Sequence, residues 1–361
     1  MKKFATPLAS MICVVLILVS FPRAPLACTT FCLVGKGEVL FGRNYDWIIG
    51  DGLVMINKRG VMKTATVVES DNVAKWVSKY GSVTFNQYGR ENPAGGMNEA
   101  GLVVEQLWLD ETEYPHADAR PALGTQEWVQ YLLDTSGTTS EAIKNGAAVR
   151  IESEVKVHYL ISDKAGKAAT LEFIKGELIV HTGANLPIPA LTNNTYDASR
   201  NFASQADVAK TTTNDSFDRF VRATKKTEEF ARRPLTGDAA IKYAFEILSD
   251  AAQKNPTKDP SQWTAVYDQK RGRIYFRTLQ SPQIKWVDMK AFDYACGTTV
   301  KIFDVNSIDS GDVTAKFTDY TRAANRDLIE RSFNATDFLR PLPPAVRTYL
   351  ASYPELFKCQ P

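Results

Sequence analysis

Ala27-Cys28-Thr29-Thr30-Phe31-Cys32-Leu33-Val34-Gly35-Lys36-Gly37-Glu38-Val39-Leu40-Phe41-Gly42-Arg43 is the stretch on which the reading of this chain turns. Two runs rich in β-branched, aliphatic and aromatic residues, 29–34 and 38–43, flank Gly35-Lys36-Gly37. Glycine there supplies the positive φ of a tight turn, so the segment is expected to be a β-hairpin. Cys28 stands at its head. Immediately before it, Lys2 and Lys3, the apolar run from Leu8 to Phe21 and the small-residue ending Ala24-Pro25-Leu26-Ala27 have the order of a signal peptide. The apolar run is about 14 residues, short of the ~20 that span a bilayer. Residues 1–27 are therefore expected to be removed on export to the periplasm or beyond, leaving Cys28 as the first residue.

An N-terminal cysteine can carry nucleophile and base on one residue. The free α-amine, with a pKa of roughly 7.7–8.0, lies within reach of a thiol of roughly 8.5. No histidine is then needed. A rival of another class is a lipid-anchored binding protein with Cys28 as the acylated residue, but that signal asks for Leu three places before the cysteine. Here Pro25 holds that place and Leu26 comes one residue late.

Composition narrows the function classes. The chain has 43 basic against 41 acidic side chains, and loss of Lys2, Lys3 and Arg23 leaves 40 against 41, a charge of −1. A surface so near neutrality argues against nucleic acid or an anionic membrane as partner. No linker, repeat or low-complexity tract interrupts 28–361, so one compact domain is expected. With Cys28 kept free for chemistry, Cys296 and Cys359 are the expected disulfide in an oxidising compartment. Cys32, four residues from Cys28, reads as a small buried hydrophobe. The Cys-x3-Cys spacing with only His116, His158 and His181 elsewhere is a weak metal signal, and no metal or cofactor is implied.

Further strands are expected near 53–58, 82–88, 102–109, 156–162 and 168–174. Helices are expected over 126–133, over 140–147 with Ser140 as N-cap, and over 217–232 and 238–254, with a strand-rich end at 263–267, 272–278 and 284–286. Blocks of strands alternating with helix pairs predict layered sheets and helices rather than a wound βαβ sheet.

Five blocks in order then resemble a known family: Cys28-Thr29-Thr30-Phe31, Gly42-Arg43-Asn44-Tyr45-Asp46-Trp47, Gly96-Met97-Asn98-Glu99-Ala100-Gly101-Leu102, Leu191-Thr192-Asn193-Asn194 and Arg219-Phe220-Val221-Arg222. Together they are similar to the choloylglycine hydrolases, N-terminal nucleophile hydrolases that include penicillin V acylases and bile salt hydrolases. The resemblance spans roughly Cys28 to Trp286. It implies an α+β fold, a four-layer αββα sandwich of antiparallel sheets, and a cysteine-type amidohydrolase that cleaves linear amide C–N bonds of a small N-acyl substrate through an acyl-cysteine.

The site follows partly from the residues and partly from the family. Arg43 lies across the hairpin from Cys28, where strands about 4.8 Å apart bring a guanidinium to a thiolate. Asp46 is expected where the chain bends away, and the resemblance gives its carboxylate the α-amine to hold. The resemblance also places oxyanion donors at the Asn193 amide, or its neighbour Asn194, and at the Trp108 backbone N–H. It places a second site arginine at Arg219, with Arg222 as the alternative. The segment between Asn193 and Arg219 is short beside that of tetrameric members, which leaves a homo-oligomer open. After Asp46, the glycine-broken run Trp47-Ile48-Ile49-Gly50-Asp51-Gly52-Leu53-Val54-Met55 is expected to form an acyl pocket from Trp47, Ile48, Ile49, Leu53 and Met55. With Trp108 as a flat wall, the expected substrates are penicillin V and N-acyl homoserine lactones, ahead of conjugated bile salts.

Overall fold

The computed structural model describes residues 28–66, 72–253 and 260–361. The leader expected over 1–27, and the end of the helix expected to reach Lys254, lie outside the described residues. The opening hairpin is present as β1 (Thr29–Gly35) and β2 (Glu38–Asp46), closed by a two-residue turn. Both turn residues have positive φ, Lys36 at 47° and Gly37 at 85°, the geometry that matches the twist of the flanking strands. Pairing of Thr29 with Asn44 and Thr30 with Arg43 sets Cys28 beside the end of β2. That strand runs straight on through Asp46, where the sequence suggested a bend, because Ser261 of the neighbouring strand Ser261–Asp268 pairs with Asp46.

Two large sheets stack face to face. In one, β1 and β2 are followed by Ser261–Asp268, Arg273–Thr278 and Lys285–Asp288. The other has nine strands and carries β3 (Leu53–Asn57), Ser82–Asn86, Pro93–Asn98, Val103–Trp108, Val157–Ser162 and Ala168–Ile174 in antiparallel succession. Helices α1 (Thr125–Thr135) and α2 (Thr139–Ala147) lie on the nine-stranded sheet. Beyond the short α3 (Tyr196–Ala203), helices α4 (Ser216–Arg232) and α5 (Gly237–Ala251) cover β1 and β2. The result is four layers, helix, sheet, sheet, helix. Every residue of β2 is buried because a sheet lies on one face and helices on the other.

The pleat sorts the core. Leu107 and Val103 join Phe41, Phe85 and Val266 in the cluster that includes the space between the sheets. Val104 turns the other way, toward Trp128, Leu132 and Tyr159 beneath α1. Cys32 is buried in the first cluster, and Cys296 is bonded to Cys359.

Several features depart from the expected elements. The N-cap of α2 is Thr138, whose hydroxyl accepts from the Glu141 N–H, so Ser140 lies inside the helix. Strands at Pro93–Asn98 and Glu177–Thr182 were not anticipated. Nor were two helices near the end, α6 (Arg322–Ala335) and α7 (Pro344–Ser352). Among the described residues no helix is long and apolar enough to cross a membrane.

Candidate active site

Cys28 is buried where β1 begins, and its Sγ lies 3.7 Å from the backbone oxygen of Asp46. Burial pushes the thiol above its ordinary pKa, against the pull of the Arg43 charge. The resting group is thus a thiol.

Arg43 is equally buried. Its Nε lies 3.4 Å from Glu105 Oε2 and its guanidinium 5.3 Å from the Tyr45 ring centre. Among the described residues its Nη1 has no hydrogen-bond partner. The Asp46 carboxylate accepts from the Ser261 hydroxyl at 2.5 Å, a contact set by the pairing of those two residues across the sheet.

On the far side of Cys28, α4 delivers Arg219. Asp215 caps this helix through the Phe217 N–H, and Arg219 follows in its first turns. Its Nη1 donates to the Cys28 carbonyl at 2.5 Å and to the Thr29 hydroxyl at 2.8 Å, and its Nη2 donates to Asn193 Oδ1 at 3.0 Å. Arg222 instead donates to the carbonyls of Thr211 and Thr213. Asn193 is oriented by a bond from its N–H to Ser216 Oγ, and its Nδ2 donates to the Trp108 carbonyl at 2.9 Å. Among the described residues Asn194 makes none of these contacts.

The direction of the Trp108 N–H follows from ladder geometry. Leu109 donates to the Lys156 carbonyl at 3.1 Å, so the next pair, Trp108 and Val157, is the non-bonded kind. Its N–H and C=O both point away from Val157, to the side where Asn193 sits.

A cavity of about 160 Å³ opens on Cys28, Arg43 and Asp46, with Trp47, Leu107 and Trp108 among its walls. The two indoles are 6.3 Å apart and tilted by 38°. Trp47 donates to the Tyr88 hydroxyl and Trp108 to Asp110 Oδ1, so both rings are fixed by their N–H groups.

The rest of the expected pocket is elsewhere. Ile48 is exposed, and Ile49 packs beside Gln87, which donates to its carbonyl. Leu53 and Met55 lie on β3, where alternation sends Val54 and Ile56 into the large core cluster and the other two to the opposite face. There Met55 meets Leu328 of α6.

Glu105 belongs to the site as well, although no sequence expectation named it. It is buried, receives the Tyr267 hydroxyl and faces Arg43, and burial raises its carboxyl to about 7. The signal was available: in Val103-Glu105-Leu107 a carboxylate occupies the inward face of an otherwise apolar alternation. Its space depends on Gly95, where an added Cβ would come 2.0 Å from Glu105 Oε2.

Known proteins resemble this chain in sequence and fold. The sequence profile of the linear amide C-N hydrolases, choloylglycine hydrolase family, matches residues 28–211 and 206–302. A penicillin V acylase of Pectobacterium atrosepticum is 30% identical over 262 residues, 61% of this chain and 69% of that protein. The structure of penicillin V acylase from Agrobacterium tumefaciens superposes with a TM-score of 0.71 at 29% identity, over 81% of this chain and 98% of that one. A variant of conjugated bile acid hydrolase from Clostridium perfringens shares the fold, with a TM-score of 0.66 at 20% identity over 78% and 98% of the two chains. The chain belongs to the choloylglycine hydrolase family, enzymes that hydrolyse linear amide C–N bonds.

Proposed function

We propose that the mature protein begins at Cys28 and is a penicillin V acylase-like amidohydrolase with Cys28 as nucleophile. The observation that carries this reading is the hydrogen-bonded chain from Cys28 through Arg219 and Asn193 to Trp108, closed on the other side by Arg43 and Asp46. The thiol proton passes to the free α-amine as Sγ bonds to the amide carbon. Arg43 stabilises the thiolate form, and Asp46, held by Ser261, orients the amine. The tetrahedral oxyanion accepts from the Trp108 N–H and from the second N–H of the Asn193 amide, since the first is engaged. Collapse breaks the C–N bond, the ammonium returns its proton to the leaving amine, and an acyl-cysteine remains. Water, deprotonated by the same amine, then attacks the thioester, releases the acid and regenerates the thiol. Arg219 fixes the backbone at Cys28.

Export of the chain to the periplasm or the exterior fits this scheme, because it would free the amine and allow the Cys296–Cys359 bond to form. The acyl group enters the cavity walled by Trp47, Leu107 and Trp108, whose flat indole surfaces suit an aryl ring or a slim chain. Penicillin V and N-acyl homoserine lactones are therefore preferred to conjugated bile salts. The test is kcat/KM for the three classes side by side on the exported protein. A bile-salt value about tenfold or more above the others would replace this preference with a bile salt hydrolase.

A further inference from the structure

The family match ends at residue 302, yet the cavity on Cys28 does not end with the family's residues. Phe333, Phe338, Leu339 and Leu350, all beyond it, form part of the cavity lining. The structural relative from Agrobacterium tumefaciens is matched over 98% of its own length by only 81% of this chain.

This segment is tied into the body at several points. Leu328 seats on Met55 of β3. The Arg90 N–H donates to Asn325 Oδ1 at 2.8 Å, and Arg331 pairs with Asp51. Cys359 is bonded to Cys296, and Lys358–Cys359 adds a strand to Val61–Thr64. The tie nearest the site is a relay in which Trp47 Nε1 donates to the Tyr88 hydroxyl at 2.6 Å, and that hydroxyl shares a 3.0 Å bond with Thr336 Oγ1. Phe333 then packs edge-on against Tyr88, with ring centres 6.1 Å apart. One wall of the pocket is thus locked to the C-terminal helices through a side chain that also faces the reacting end.

We propose that residues 321–361 are a built-in specificity element. Phe333, Phe338, Leu339 and Leu350 close the acyl pocket, so that it takes a slender apolar chain or a single ring and rejects a fused-ring acid. The inference deepens the acyl-cysteine reading and rests on it for turnover. A fused-ring acyl group would need the space these four side chains fill, and the bonds that hold α6 and α7 oppose their withdrawal. Discrimination in an apolar pocket amounts to roughly ten- to two-hundredfold per misfitting group.

The experiment compares wild type with Phe338→Ala, Phe338→Trp and Leu350→Trp, each checked for an unchanged circular dichroism spectrum and a cooperative melt. Phe338 is 44% exposed at the rim, so its two variants should fold. Turnover is measured on N-acyl homoserine lactones from butanoyl to tetradecanoyl and on glycocholate. Quenching of tryptophan fluorescence by the free straight-chain acids gives a second readout that needs no catalysis. The expected result is that Phe338→Ala raises the long-to-short preference about tenfold or more, while the two tryptophan variants lower it by a similar factor. A chain-length profile unmoved in the folded variants by either readout overturns the proposal. If wild type turns over none of the substrates but the binding profile still shifts, the acyl-cysteine reading fails and the pocket assignment stands.

Discussion

At the residue scale, the chemistry concentrates on one thiol and the groups that manage its proton. Burial raises the Cys28 pKa, so a base is needed, and only a chain starting at Cys28 supplies one within the same residue. A Met-Cys28 form with trimming blocked should therefore be inert; full activity from it would remove the α-amine from the mechanism. Asn193→Ala should lower kcat by about 10²–10³ and also lower the melting temperature, because Arg219 Nη2 and the Trp108 carbonyl lose their partner. Glu105 makes a separate prediction about stability. Its folded pKa is raised from an ordinary 4.5 to about 7, so the folded state binds the extra proton between those values. The stability this gives is full below pH 4.5 and is lost as pH rises through about 7, on the order of 3 kcal/mol. Urea unfolding of Glu105→Gln against wild type should show the wild-type advantage shrinking across that window. Parallel pH curves for the two proteins would mean that Glu105 does not carry the shifted proton.

At the scale of elements, the hairpin is what brings Cys28, Arg43 and Asp46 together, and its packing hinges on a small residue. Phe31 lies opposite Gly42, and a Cβ there would come 2.3 Å from the Phe31 ring. Gly42→Ala should cost about 1–3 kcal/mol in denaturant unfolding and reduce activity with it; a variant as stable as wild type would show that the ring can move aside. The hairpin, most strands and the four helices α1, α2, α4 and α5 were legible because each has a clear period or turn. Pro93–Asn98 was not, since Pro93-Ala94-Gly95-Gly96 lacks β-formers, and it is a strand because its neighbours supply the ladder on both sides. Cys28, Arg43, Asp46, Asn193 and Arg219, which the structure brings together, stand in the family blocks, whereas of the expected pocket residues Trp47 lines the cavity and Ile48, Ile49, Leu53 and Met55 do not. Hydropathy around Leu53 and Met55 reports burial without saying what each face of β3 packs against. Helix α6 escaped notice because its apolar residues are few, Leu328, Ile329 and Phe333 among many charges.

At the scale of the whole molecule, the two sheets fix Cys28, the proposed nucleophile, while the C-terminal segment lines the cavity that opens on it. The Cys296–Cys359 bond joins that segment to the body across 63 residues of sequence. Replacing both cysteines by serine should lower stability by about 2–4 kcal/mol, and a melt unchanged by the substitution would show that packing alone holds the segment. The proposed mechanism makes Cys28 the acylated residue. Wild-type protein mixed with penicillin V, quenched in acid within the first turnovers and digested, should give a peptide that begins at Cys28 and carries the phenoxyacetyl mass on its thiol. Acyl mass on any other residue, or undiminished hydrolysis by Cys28→Ala, would contradict it.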